Sequence, residues 1–317
     1  MENVKSGEFM GGNIWENNLR IWSKEAFQEL IKKQQDLFEN ITDKLYIPRE
    51  IDSKSTFGDL DIIVPLQFLQ PIVSLVKSLE LPLSINTNVI SYQYESFQVD
   101  LIFLEEKFIP YAINYFSFGD HGNVLGRLSK RHGLKTGFKG LSYTFIKDQG
   151  NTKIDIPVSM EYTDMLEYLK YDSDKFKEGF KDESDLFEWL TSSPYFDPTI
   201  YSFESMINKD RVRDRKRKFY RDFLDHINAR SYPEPQEPPP FELVFQDFQP
   251  KFDAINDEYN LKVAYRNKFN GNIVSKISGR EGMALGVLMR DIRSKYDQEA
   301  ILKLSEDELK DIILQLN

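Results

Sequence analysis

The sequence predicts an α+β fold, a small mixed sheet with helices on one side, followed by helical domains. Three observations lead there. Short apolar runs with a two-residue period cluster before residue 105. Helical spacing dominates after residue 119, and a proline-rich stretch near residue 235 sets off a last helical block.

Residues 15–40 read as an amphipathic helix with Phe27, Leu30, Ile31, Leu37 and Phe38 on one stripe, its main body capped by Ser23. KLYI (44–47) reads as a short strand stopped by Pro48, and DLDIIV (59–64) as a second strand. FLQPIVSLVKSLE (68–80) is a helix that tolerates Pro71 in its first turn. VISYQYE (89–95) and FQVDLIFL (97–104) follow as strands. In the latter, Phe97, Val99, Leu101 and Phe103 alternate with Gln98, Asp100 and Ile102. From Gly119 on, KFKEGFKDESDLFEWLTSSP (175–194) and VRDRKRKFYRDFLDHI (212–227) have helical spacing. SYPEPQEPPPFE (231–242) reads as a stiff extended linker. Beyond it, Leu285, Leu288, Met289, Ile292 and Tyr296 share one helical face, with Gly282 and Gly286 permitting close helix contact. The last helix opens on a capping box, Ser305 to Glu308, and buries Leu309, Ile312, Ile313 and Leu316. The domains expected are 1–120, a helical 121–231 carrying the basic stretches, a linker at 232–250, and a helical 251–317.

Composition excludes several classes. With 40% hydrophobic and 14% aromatic residues the chain has the material for a large core. No apolar run approaches the length needed to span a bilayer, and the opening residues lack the apolar core of a signal peptide, so a cytoplasmic, non-membrane protein is expected. There is no cysteine, and His121, His132 and His226 form no ligand spacing. Disulfides, thiolate chemistry and a zinc site are therefore not expected.

The formal net charge of −10 conceals two basic runs. RLSKRHGLKTGFK (127–139) contains Arg127, Lys130, Arg131, Lys135 and Lys139 and no acidic residue. KDRVRDRKRKFYR (209–221) sets eight cations, among them Arg213, Arg215, Arg217 and Lys218, against Asp210 and Asp214. Such concentration in an acidic protein points to a polyanionic partner on one face, with nucleic acid the expected one. For the second run a solvated helix face with internal pairs stays equally open.

Asp59, Asp61 and Asp100 each stand on an expected strand among apolar neighbours. If those strands pair, three carboxylates converge at one end of a sheet, where they repel unless a divalent cation lies between them. An all-oxygen ligand set suits Mg²⁺ or Mn²⁺, and two-metal phosphoryl transfer is the chemistry it suggests.

KSTFGDLDIIV (54–64) resembles the palm motif of the polymerase-beta-like nucleotidyltransferases, and of family X DNA polymerases in particular. Lys54, Thr56, Gly58, Asp59 and Asp61 match the motif in spacing. FQVDLIFL is similar to the strand that carries the family's third metal aspartate, here Asp100. YFSFGDHGNVLGRLSKRHGLKTGFKGL (115–141) resembles the stretch joining palm to thumb, and the likeness covers roughly residues 45–141. It implies a palm domain over 1–120, a thumb-like 121–231, and a site in which Asp59 and Asp61 bind both metal ions while Asp100 completes one. Lys54, Ser55, Thr56, Gly58, Phe116, Asn123 and Arg127 are the candidate nucleotide contacts, with Phe116 or Phe118 stacking or gating. Lys130, Arg131, Lys135, Lys139, Arg213, Arg215, Arg217 and Lys218 are the candidate nucleic-acid contacts. For the aromatics, an ordinary core role is the alternative.

Departures from the pattern bear on the phosphates. Pro48 and Arg49 stand where the family has Gly-Ser, and Asp52 where it has a phosphate-binding arginine. Proline offers no N–H and aspartate repels phosphate. Arg49, Ser53, Ser55 or the upstream Gly11–Gly12 are the candidate substitutes. The palm-to-thumb stretch is about two residues shorter than the family pattern. No helix-hairpin-helix glycine pattern precedes the motif, which speaks against a base-excision repair polymerase. FNGNIVSKISGREGMALGVLMRDIRSKY (269–296) with the last helix resembles the terminal segment of class II CCA-adding enzymes and bacterial poly(A) polymerases.

The resemblance implies a Mg²⁺-dependent transfer of a nucleoside monophosphate from an NTP or dNTP to a hydroxyl, with a DNA or RNA 3′ end the first expectation. A toxin-like or regulatory enzyme modifying tRNA or protein is the alternative. A catalytically lost nucleic-acid-binding or scaffolding module is the other.

Overall fold

The computed structural model describes residues 14, 15, 17–21 and 23–317. The chain divides into two compact units, Met1–Gln246 and Asp247–Asn317.

The first unit is built on a four-stranded sheet in the order β1-β4-β3-β2. Its strands are β1 (Asp59–Pro65), β2 (Leu83–Asn86), β3 (Val89–Tyr94) and β4 (Phe97–Leu104). β1 and β4 run parallel, while β3 is antiparallel to both β4 and β2. Period-two alternation divides the side chains of β1 and β4 between two faces. On one face Leu60, Ile62, Val64, Val99, Leu101 and Phe103 are buried in a single core. Helix α1 (Lys24–Phe38) contributes Phe27, Leu30, Ile31 and Phe38 to it, and α2 (Leu69–Ser78) contributes Ile72 and Val76. Apolar side chains spaced three and four apart are what dock both helices there.

The opposite face carries the aspartates at one end and a small apolar cluster at the other. Ile63, Ile102 and Leu104 pack there against Ile109 and Ala112 of α3 (Ile109–Phe116). Helices thus lie on both faces of the sheet rather than on one. On the second face α3 covers the apolar end.

Several local expectations are corrected. The helix expected over 15–40 begins at Lys24, where the Ser23 hydroxyl accepts from the Ala26 N–H at 3.1 Å. The described residues before it are not helical: the Asn18 N–H bonds back to the Trp15 carbonyl in a turn, and Ile21 bridges to Phe57. KLYI makes a single bridge, Tyr46 with Ile63, because Pro48 has no N–H to continue a ladder. The region 121–231 is not purely helical and belongs to the same compact unit as the sheet. After α4 (His121–Arg131), strands β5 (Leu134–Gly137), β6 (Gly140–Lys147) and β7 (Thr152–Ser159) form an antiparallel sheet. Six helices follow within the unit: α5 (Tyr162–Tyr168), α6 (Ser173–Glu178), α7 (Glu183–Leu190), α8 (Asn208–Lys216), α9 (Lys218–Asn228) and α10 (Phe241–Val244). The stretch 175–194 is broken at Gly179, whose φ of 96° ends α6. The proline-rich segment is extended, as expected, but it is docked. The Gln236 N–H donates to the Pro194 carbonyl, the Tyr168 hydroxyl to that of Pro239, and Phe241 stacks on Tyr143.

The second unit is helical: α11 (Phe248–Lys268), α12 (Gly271–Ser278), α13 (Gly282–Lys295), α14 (Gln298–Lys303) and α15 (Glu306–Gln315). Val274, Leu288, Ile292, Ile301, Leu309 and Ile313 form its core with Phe269. The Ser305–Glu308 capping box is present. Gly282 and Gly286 do not mediate close packing, since a β-carbon on either would meet open space.

Candidate metal centre

The acidic centre follows from register. β1 opens at Asp59, so Asp59 and Asp61 leave it on one face, and Asp61 stands opposite Asp100 in the parallel pairing. One carboxylate oxygen from each of the three lies within 4.8 Å of the others. Asp100 is buried (6% exposed), whereas Asp59 and Asp61 are partly open.

Two polar residues that the sequence reading did not single out complete the inner wall. Gln98, two residues before Asp100 on the same face, donates from Nε2 to Asp100 Oδ2 at 2.8 Å. Ser91 stands opposite Asp100 on β3, fully buried, and its hydroxyl favours the charged carboxylate without completing a hydrogen bond of good geometry. Asp100 Oδ1 is left buried with no hydrogen-bond partner. An orphaned anionic oxygen facing two more carboxylates costs free energy unless a cation joins it. The only sequence signal for Gln98 and Ser91 is their place on the polar face of strands otherwise apolar.

The electrostatics agree. Burial pushes Asp100 up to about 6, against smaller opposing contributions from Ser91 and Gln98. Burial, then Asp59, Asp100 and Glu50, raise Asp61 well above the usual carboxylate range. Glu50 is itself raised by burial, although Lys54, bonded to it at 2.5 Å, opposes the shift.

These shifts have a definite consequence. A carboxyl with a folded pKa raised above its unfolded value keeps a proton in the fold that the unfolded chain has already released. The cost to stability therefore grows as pH rises from about 4 to 6 and is fully present above. For Asp100 it is on the order of 3 kcal/mol. With a chelator at pH 7.5, Asp100→Asn should melt above the wild type, and the gap should close by pH 4. Melting curves of the two proteins side by side check this, because the opposite acid trend of buried His121, held at about 3, cancels in the difference. An Asn variant less stable at pH 7.5 would refute it.

The expected nucleotide contacts fall in two groups. Lys54, Ser55, Thr56 and Gly58 form the approach to β1, as the motif spacing requires. Lys54 is engaged by Glu50 and lies 5.2 Å from the Phe57 ring centre. The others are used inside the fold. Phe116 packs against the Ile63–Ile102 cluster and stacks on Phe138, and Phe118 is buried beside Phe176 and Phe180. Asn123 and Arg127 converge with Arg213 on buried Asp214.

The basic runs are likewise largely neutralised. Arg131 pairs with Asp197 and Glu237, Lys135 with Asp155, Arg217 with Asp120, and Lys218 with Asp222 and Glu183. Lys130, Lys139 and Arg215 are exposed with no carboxylate partner among the described residues, and Arg215 stacks on Phe203. Within the 209–221 run Arg213, Arg217 and Lys218 are ion-paired, whereas Arg211, Arg215, Lys216 and Arg221 have no carboxylate partner among the described residues, so both readings of the run keep support.

The departure at the phosphate loop is also resolved geometrically. The Arg49 N–H donates to Ser117 Oγ, that of Asp52 to the Phe180 carbonyl, and that of Ser53 to the Lys181 carbonyl. Arg49 itself donates to the Lys177 carbonyl and lies over Phe118. The three backbone N–H groups are not available to a phosphate without rearrangement, whereas the Arg49 guanidinium keeps further donors beside a cavity. Gly11 and Gly12 lie outside the described residues.

Among the described residues no helix is long and apolar enough to cross a membrane. No protein-family model and no curated protein matches the sequence.

Proposed function

We propose that this protein is a divalent-metal-dependent nucleotidyltransferase with a polymerase-beta-like palm, moving a nucleoside monophosphate from an NTP or dNTP onto a hydroxyl. A DNA or RNA 3′ end is the acceptor favoured by the resemblance of the motif. The observation that carries the reading is the Asp59–Asp61–Asp100 triad, whose oxygens lie within 4.8 Å, with Asp100 Oδ1 buried and unpartnered.

The donor set fits Mg²⁺ or Mn²⁺: three carboxylates, no nitrogen or sulfur ligand, and openness on the side of Asp59 and Asp61 that leaves room for water and phosphate oxygens. When bound, such ions supply Lewis acidity to the phosphoryl group and lower the pKa of the attacking hydroxyl. Asp59 and Asp61 would hold both ions and Asp100 would complete one. Gln98 fixes the Asp100 carboxylate through Oδ2 and leaves Oδ1 free for that role. Phe57, Leu60 and Val99 beneath the triad keep the strand ends rigid.

A second reading has a specific observation behind it. The N–H groups of Arg49, Asp52 and Ser53 are already bonded, as in a palm that has lost transfer and retains binding or scaffolding. Incubation with each of the eight common nucleotides, Mg²⁺ or Mn²⁺, and labelled primer, tRNA or protein separates these readings. Label transfer to primer or tRNA is expected. Transfer to protein alone would reassign the acceptor, and transfer to none would favour the lost-enzyme reading.

A further inference from the structure

The segment preceding α1 is hydrogen-bonded to residues that flank the acidic centre. Ile21 and Phe57 exchange both backbone hydrogen bonds, at 3.1 and 2.9 Å, and the Leu19 N–H donates to the Ser96 carbonyl. Asn18 Nδ2 donates to the Gly58 carbonyl at 2.8 Å. The Ile14 N–H donates to Gln98 Oε1, and that same Gln98 holds Asp100. Ile14, Asn18, Leu19 and Ile21 are thus fastened to the residues just before β1 and β4 and to Gln98, which orients the third carboxylate.

This segment delivers a cation. Arg20 is exposed, and a β-carbon built on Gly58 would stand 3.6 Å from its Nη1 and 3.9 Å from its Cζ. Gly58 immediately precedes Asp59. No carboxylate among the described residues pairs with Arg20. Around residues 48–53 the backbone N–H groups of Arg49, Asp52 and Ser53 are consumed and Lys54 is held by Glu50, while the cavity of about 510 Å³ there sets Glu50, Asp52 and Glu178 against Lys24 and Arg49.

We propose that Arg20 grips the phosphate chain of the substrate. A planar guanidinium suits phosphate oxygens bidentately, and Gly58 leaves the space between backbone and arginine open. The assignment rests on the nucleotidyltransferase reading and adds to it the residue that replaces the altered loop.

The test is calorimetric titration of the full chain, with Mn²⁺ present, using inorganic tripolyphosphate and a non-hydrolysable nucleoside triphosphate. Arg20→Ala should weaken both at least tenfold and Arg20→Glu further, while Arg20→Lys retains part of the affinity. Mn²⁺ binding without phosphate should be retained in all three, no weaker than in the wild type because a cation beside the carboxylates is either lost or kept. The melting temperature should be unchanged, since Arg20 is solvent-exposed. Wild-type affinity in Arg20→Ala would overturn the role of Arg20 and leave the transferase reading standing. A wild type that binds Mn²⁺ but neither phosphate compound would overturn both.

Discussion

Asp100→Ala is expected to abolish nucleotidyl transfer, lowering turnover by about 10³-fold or more, equivalent to about 4 kcal/mol of barrier. The substitution removes the only one of the three carboxylates that is fully buried and rigidly oriented, with Gln98 on one oxygen and the other unpartnered. Asp59 and Asp61 stay in place, so nucleotide binding with a single metal ion should survive in large part. The fold should survive too, because the substitution takes one of three mutually repelling anions out of the sheet. Single-turnover kinetics on the wild type and the variant, with nucleotide affinity measured separately, decide the matter. Unchanged turnover would sink the assignment. Lost turnover with lost nucleotide binding would move Asp100 from the chemistry to the architecture of the site.

How far the sequence discloses such a site depends on the range of the interactions that build it. Asp59 and Asp61 are two residues apart, and their joint face follows from strand period alone. Asp100 became readable because the apolar alternation of 97–103 assigns it a face. What no period reveals is that β1 and β4 pair in parallel with Asp61 opposite Asp100, which the crossover through α2, β2 and β3 decides. Arg20 was hidden for a similar reason. Helical spacing runs back to residue 15, but bonds to Phe57, Gly58 and Ser96 hold 18–21 out of the helix, a tertiary override of local pattern. The sheet β5–β6–β7 had a legible signal that helical spacing obscured. GLSYTFIK is rich in aromatic and β-branched residues, and DQGN supplies the turn, with Asp148, Gln149 and Gly150 all at positive φ.

Charge was the least legible property, and it carries the second large expectation: Asp214→Ala should destabilise the first unit by about 3–5 kcal/mol. The run 209–221 looks like a cationic surface, yet its fully buried Asp214 accepts from Arg127 Nη2 at 2.6 Å and from Arg213 Nε at 2.7 Å. Asn123 fills the remaining positions, donating to Asp214 and accepting from Arg213. Burial acts to raise the Asp214 pKa, but the two arginines outweigh it and hold the carboxyl below its usual value. Arg127 and Asn123 lie on α4, 87 and 91 residues away in sequence, which is why inspection of the run alone could not find them. Alanine leaves two guanidinium groups facing each other in a half-buried space, each deprived of its acceptor. Asparagine keeps the shape and one acceptor, and should lose less. All three tryptophans precede residue 247, so their fluorescence in a urea titration follows the first unit alone. A shift below about 1 kcal/mol for the alanine variant would mean that the arginines relax into water, as surface pairs do. They would then be free to meet a nucleic-acid backbone, and Arg213→Ala should lower primer affinity and its salt dependence. If the large loss is seen, Arg127 and Arg213 are structural cations, and any nucleic-acid grip falls to exposed Lys130, Lys139, Arg215, Lys216 and Arg221.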